Sequence, residues 1–272
     1  YADNKSSEGI AYFHYALPHY LEAQKFNPKN AKLNYRIGVC YLNTLFKYRA
    51  EEYLVNAYKL NPTIEDDIDF QLAQAHHIHE HWDKAIISYE KFIEYLKTPA
   101  ATKVFNDPAA EQEKIRRRIK ECNHGKKYVA NPMNVVVTDL SDSVNTVFPE
   151  YNVIINADES VMMFTSQRTG STGESNEVEH DEFAIHMEDI YVTDAMGDEW
   201  SKSRNIGPPV NTDINDATIA LAPDGHIVLT YNDKVGNGDI FQCKLEGNHW
   251  SIPKRLNKNV NSPQHESSAS FS

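Results

Sequence analysis

Four of the twelve histidines fall within six residues, His76-His-Ile-His-Glu-His81, and imidazoles at this density are the first place to look for chemistry. On a continuous helix His77 and His81 share a face, a spacing at which two imidazoles hold a metal ion, with Glu80 as the nearest further ligand. The competing reading is packing: His76 falls on a core-facing aromatic position of the helical repeat described below, and the others lie where one helix turns into the next. Packing is preferred, and no metal or cofactor is assigned. A second candidate is the loop from Gln167 to Glu188, which carries Glu174, Glu177, Glu179, Asp181 and Glu182. No ligands in it recur at the one, three, five spacing of a calcium loop, so it is read first as a solvated acidic loop and second as a partner-contact surface. Cys40, Cys122 and Cys243 are odd in number and far apart in sequence. They are expected to be buried thiols acting as small hydrophobes. Gly-x-Ser-x-Gly, Cys-x-x-Cys, a phosphate-binding glycine loop and a paired-carboxylate frame are all missing, so no catalytic residue is assigned and the chain is read as a non-enzyme.

The 272 residues exceed the usual size of one domain and suggest two. The formal charge of −12 argues against a nucleic-acid surface, which needs a basic face to displace counterions from phosphates. No apolar run reaches the roughly 18 residues that span a bilayer. The chain opens at Tyr1 in what reads as mid-helix, so a longer N-terminus is expected.

Elements that would position these candidates fall into two halves. From Tyr1 to Gly125 the apolar spacing is helical. Ala16, Tyr20, Ala23 and Pro28 return 34 residues later as Ala50, Leu54, Ala57 and Pro62, and with a one-residue slip as Ala85, Tyr89 and Phe92. This period, with Gly38 and Tyr41 at the small and aromatic positions of a first helix, resembles tetratricopeptide repeats over roughly Tyr1 to Thr98. Asn27-Pro28 and Asn61-Pro62 close the second helices, because proline cannot continue them. Phe92, where a small residue is expected, marks the end of the array. Ala109 to Lys120 predicts a charged capping helix, Gly125 its stop, and Val135-Val-Val137 the first strand of a second domain. The resemblance implies a concave face built by Tyr35, Val39 and Leu42 with Phe70, Gln74 and His77. Lacking the Lys, Arg and Asn set that grips a terminal carboxylate, this face would take an apolar and aromatic partner.

In the second half one pattern recurs at offsets of 66 and 50. Leu140-Ser-Asp-Ser-Val-Asn-Thr146 becomes Ile206-Gly-Pro-Pro-Val-Asn-Thr212 and then Leu256-Asn-Lys-Asn-Val-Asn-Ser262. Between copies come a strand (Asn152 to Ile155; Ala217 to Leu221), an Asp turn, a second strand (Val161 to Thr165; Ile227 to Tyr231), a Gly-containing loop, then Asp189-Ile-Tyr191 or Asp239-Ile-Phe241, and Trp200 or Trp250. Four short strands per unit predict blades of a truncated β-propeller, about two and the start of a third. Val153-Ile-Ile155 reads as an inner strand covered on both faces. The aspartates are expected to bond turn backbone and the tryptophans to cover blade edges. The first unit carries 16 more residues between its Asp turn and its Asp-Ile-Tyr than the second, and these form the acidic loop.

The stretch Ile155-Asn-Ala-Asp-Glu-Ser-Val-Met-Met-Phe-Thr-Ser-Gln-Arg-Thr-Gly-Ser-Thr-Gly173, with Glu188-Asp-Ile-Tyr-Val192, resembles the PD40 (WD40-like) propeller repeat. Helical repeats over 1–130, an Asn-Pro linker and PD40 blades over 131–272 are similar to the N-terminal portion of the large OmpA-family envelope proteins of Bacteroidetes, including the PorE-like component of type IX secretion. The resemblance implies a periplasmic, outer-membrane-associated scaffold. Its partners would be envelope or secretion-machinery proteins, with peptidoglycan held through a later domain. The alternative is a regulatory propeller attached to a peptidase or hydrolase domain beyond Ser272.

Overall fold

The computed structural model describes residues 7–173, 186–232 and 238–271. The chain is helical first and stranded second, and it divides into two compact units between Val136 and Val137. The first unit holds α1 (Ser7–Phe26), α2 (Ala31–Leu42), α3 (Ala50–Leu60), α4 (Ile68–Ile78), α5 (Trp82–Leu96) and α6 (Pro108–Ala130). No helix among the described residues is long and apolar enough to cross a membrane.

Local chemistry sets the helix ends. Asn30 caps α2 by accepting the amide of Leu33 at 3.0 Å, and Asp107 caps α6 through the amide of Ala110 with Pro108 in the first turn. The helices α1 and α3 stop at Phe26 and Leu60, immediately before Asn27-Pro28 and Asn61-Pro62. Ala50, Leu54 and Ala57 are wholly buried. A Cβ on Gly38 would sit 2.4 Å from Cγ of Leu54, so glycine at this position lets α2 and α3 approach closely. Phe92 is buried against Phe70, Tyr95 and Phe105, with centroids 5.1, 5.8 and 6.0 Å away.

Two sequence expectations fail here. Gly125 does not end α6, which continues to Ala130. A Cβ on it would lie 2.8 Å from Cζ2 of Trp82, so this glycine serves packing rather than termination. Val135-Val-Val137 forms no strand, because no neighbouring strand among the described residues is there to pair with it.

The second unit has two antiparallel sheets. The first contains β1 (Glu150–Ile155), β2 (Val161–Ser166), β3 (Asp189–Met196), β4 (Glu199–Trp200) and β5 (Arg204–Asn205). The second contains β6 (Asp216–Leu221), β7 (Ile227–Asn232), β8 (Asp239–Glu246), β9 (His249–Trp250) and β10 (Lys254–Arg255). The short β4 and β5 both pair with β3, as β9 and β10 both pair with β8. Registers coincide: Phe164 faces Tyr191 and Tyr191 faces Asn205 in one sheet, while Thr230 faces Phe241 and Phe241 faces Arg255 in the other. The sheets are bonded to each other by Ala157 N to Pro223 O at 3.0 Å, Asp216 N to Glu188 O at 2.7 Å, and the buried Thr165 and Thr218 hydroxyls at 3.0 Å. Met162, Met163 and Phe164 are buried as their continuous apolar run implies. Val153 and Ile155, by contrast, are exposed. β1 is a sheet edge, and of the three apolar residues Ile154 packs onto the core of Met163, Ile190 and Val228. The predicted beginning of a third unit forms no strand over the described residues 256–271; Ala269 rests on the second sheet beside Leu229 and Ile240.

The repeated motif has a definite mechanical role. Asn211 is 1% exposed. Its Oδ1 accepts the amide of Ile190 at 2.9 Å, and its Nδ2 donates to the Ile190 carbonyl at 3.0 Å. Asn261 does the same to Ile240, at 2.9 Å in both bonds. The Ile190 and Ile240 carbonyls also accept the Ile206 and Leu256 amides at 3.0 Å, so the carboxamide imitates a strand partner chiefly for the two isoleucine amides, which the ladder would leave buried and unpaired.

Two outcomes follow, both readable by urea denaturation. Gly38→Ala should cost about 1–3 kcal/mol despite the higher helix propensity of alanine, since the added methyl meets buried Leu54. Asn211→Ala should cost about 1–3 kcal/mol by orphaning the buried Ile190 amide, whereas Asn145→Ala, where the half-buried carboxamide bonds the exposed Asp139, should cost under about 0.5 kcal/mol.

Candidate functional site

The histidine cluster is built by the way α4 ends. Its last turn closes with the Glu80 amide on the His77 carbonyl at 3.1 Å and the His81 amide on the His76 carbonyl at 2.9 Å, with Glu80 left-handed at φ 58°. This is a Schellman closure, and it folds the residue five positions on back over the start of the turn. His81 therefore approaches His76, with ring centroids 6.1 Å apart, and not His77. The expectation that His77 and His81 share a face assumes a helix that continues to His81. The helix ends at Ile78, and His77 turns away to lie edge-on to Trp82 and beside the Tyr89 hydroxyl, 3.3 Å from Nδ1. Burial depresses the pKa of His77.

The group that organises the cluster comes from α3. Oε1 of Glu51 lies 2.6 Å from Nδ1 of His76 and 2.6 Å from Nδ1 of His81. A carboxylate oxygen only accepts, so both imidazoles carry their proton on Nδ1 when these two bonds are made. Desolvation raises the Glu51 pKa, but the hydrogen bonds and charges of His81 and His76 outweigh it and hold the carboxyl below its usual range. Burial lowers the pKa of His76 against the opposing pull of Glu51. His79 donates from Nε2 to the Tyr48 carbonyl at 2.5 Å and places Nδ1 3.8 Å from Glu51 Oε2. Glu51, His79 and His81 line a cavity of about 730 Å³ together with Tyr48, Tyr53 and Lys84. Glu51 carries no sequence signal that ties it to the histidines; it is 25 residues from the nearest of them.

The expected partner face is placed as follows. Leu42 is buried in the first helical core, and Tyr35 packs beside that core with its hydroxyl on Asp67 Oδ1 at 2.5 Å. Phe70 stacks on Phe92 within the second core, and His77 is engaged as above. Val39 and Gln74 are half-buried, Gln74 bonding Gln71 at 3.2 Å. Leu42 thus serves helix packing, while Tyr35, Val39, Phe70, Gln74 and His77 are all half-buried. Glu174, Glu177, Glu179, Asp181 and Glu182 lie outside the described residues.

All three cysteines are free and buried. Burial pushes the thiols of Cys40 and Cys243 up to about 12 and that of Cys122 to about 11, which removes them as nucleophiles at neutral pH.

The strand half holds a buried charged group to which the sequence assigns no role. Arg168 is 8% exposed. Its guanidinium donates to the Val144 carbonyl at 2.7 Å, Glu150 at 2.8 Å and Ser203 at 2.8 Å, and lies over the rings of Tyr191 and Phe164. It ties the first motif copy to the first sheet. The two repeated aspartates differ. Asp239 pairs with both Nε and Nη2 of Arg255 at 2.7 Å. Asn205 occupies the corresponding position of the first unit, so Asp189 has no guanidinium there and receives the Asn205 amide and the Thr172 backbone amide, both on Oδ2 at 2.5 Å. Its Oδ1 has no partner among the described residues, and burial raises its pKa. Only Asp189 therefore matches the expected turn-bonding role; Asp239 forms an ion pair.

Comparison of the sequence with protein-family models and with curated proteins found no match.

A carboxyl whose pKa is raised by folding destabilises the native state at pH values above the unfolded range near 4, and the penalty fades as pH falls. Asp189→Asn keeps an oxygen for both donors and removes the buried charge. Its stability at pH 7 should match or exceed wild type, with any excess shrinking toward pH 4. A loss above about 1.5 kcal/mol at pH 7 would contradict this account of Asp189.

Proposed function

We propose that this protein is a non-enzymatic adaptor of the cell envelope: a tetratricopeptide-type array joined to propeller-type blades, working through protein–protein contacts. The observation that carries this reading is that three motif copies accompany two sheets among the described residues. Asn211 and Asn261 each lock onto the sheet preceding their motif. Asn145, at the same position of the first copy, bonds Asp139 instead, at 2.9 Å. By the offsets of 66 and 50, Thr138-Asp139 holds the register of β5 and β10, the outer strands. The residues just before it, Val135, Val136 and Val137, are 65%, 89% and 90% exposed. A strand register outside any ladder, preceded directly by an exposed apolar run, supports recognition by strand addition.

The resemblance to OmpA-family envelope proteins supplies the proposed setting, the periplasmic side of an outer membrane, with envelope or secretion-machinery proteins as partners. The high pKa of every thiol and the absence of a nucleophile frame are consistent with a binding role.

A photo-crosslinking residue at Val136, in the protein expressed in its own cells, should give a discrete adduct with an envelope protein. The same residue at exposed Phe26 serves as the control. Identical adduct patterns from the two sites, or a hydrolase activity of the purified protein, would overturn the reading.

A further inference from the structure

We propose that Glu51, His76 and His81 form a binding site for a zinc-type divalent ion, with Glu51 Oε1 and the two Nδ1 atoms as ligands and His79 Nδ1 closing the fourth position. The three primary atoms lie within 4.8 Å of one another. They come from the first turn of α3, the last turn of α4 and the residue before α5, so the ion would join three elements already held by packing and by the Glu51 hydrogen bonds. Two imidazoles and a carboxylate with one further position are a donor set that zinc takes.

His79 supplies an observation independent of that convergence. Its Nε2–H is committed to the Tyr48 carbonyl at 2.5 Å, so in the neutral ring Nδ1 presents a lone pair. That lone pair stands 3.8 Å from Glu51 Oε2, which is also an acceptor. Two acceptors facing each other have no hydrogen bond to make, and an ion held on Glu51 Oε1 removes that opposition by taking the His79 lone pair as its fourth ligand. The ring nitrogen held by a backbone carbonyl is also the outer support that metal-ligating histidines use.

The geometry needs a small adjustment. With metal–ligand bonds of about 2.0–2.1 Å, tetrahedral ligands stand about 3.3 Å apart, against 2.6 Å for the present Glu51 contacts. His81 sits on an exposed turn and can move outward; His76 is fixed in the helix. Each imidazole then carries its proton on Nε2, leaving Nδ1 for the ion. The cavity beside Glu51 and His81 gives the ion an entrance.

Zinc binding is tested by calorimetry on the whole 272-residue chain after chelator treatment, with melting temperature recorded for each protein. Wild type should take up one equivalent and melt higher with zinc. His81→Ala, on an exposed turn, should weaken binding at least about tenfold. Glu51→Gln retains an acceptor for both imidazoles, and so preserves a purely structural clamp, but it should lose zinc binding to a similar degree. His77→Ala should bind as wild type. The proposal is overturned if wild type takes up no zinc, if His81→Ala or Glu51→Gln binds as wild type, or if His77→Ala abolishes binding.

Discussion

A buried carboxamide bonded to both backbone groups of one residue is the contact on which the stranded half depends. The third and longest strand of each sheet has one edge occupied by two short strands, β4 and β5 or β9 and β10, with a gap between them. Next to those short strands the carbonyls of Ile190 and Ile240 accept the Ile206 and Leu256 amides at 3.0 Å, but their own amides would be left in an apolar interior without partners. Asn211 and Asn261 supply them, and since the same residues begin the chain's passage onward, the bond fixes where each sheet ends. A shorter or purely apolar side chain could fill the space but not the hydrogen bonds, which is where the free energy lies.

The helical half rests on a different constraint, close approach between helices. Gly38 admits Leu54, Gly125 admits Trp82, and the fully buried Ala50, Ala57, Ala73 and Ala85 keep neighbouring helices near. Several polar groups enter that packed interior, and some of them tie helices together. Glu51 is the main instance: it binds the closure of α4 to α3 through His76 and His81. A turn with a non-glycine residue in the left-handed region carries a local cost, and the carboxylate holding both flanking histidines offsets it.

Much of the fold was legible because it is periodic. Offsets of 66 and 50 placed the first two strands of both sheets within two residues, although the third strands run five residues past Tyr191 and Phe241 and each sheet has five strands where four were expected; the 34-residue recurrence of Ala50, Leu54 and Ala57 picked out wholly buried positions. What escaped was decided by events without a period. Gly125 looks like a helix stop from sequence, yet the Trp82 ring, 43 residues away, makes it a packing site. Val135 to Val137 has strand composition, but a strand exists only when something pairs with it. The histidine cluster was found while its partners were misassigned, because an i,i+4 rule holds only inside a helix and this one ends before His81. Glu51 could not have been joined to it without the α3–α4 contact. The asymmetry between Asp189 and Asp239 was present in the sequence as Asn205 against Arg255, once the offset of 50 is applied to those positions.

The central claim is that asparagine carboxamides, and not strand ladders alone, close the two sheets, while the first motif copy has no sheet to close. Residue-resolved amide hydrogen exchange tests it most directly. Ile190 and Ile240 should exchange as slowly as mid-ladder amides such as Met163 and Leu229, and Val136 and Val137 as fast as exposed loop residues. Rapid exchange at Ile190 and Ile240, or strong protection at Val136 and Val137 in the isolated chain, would contradict it.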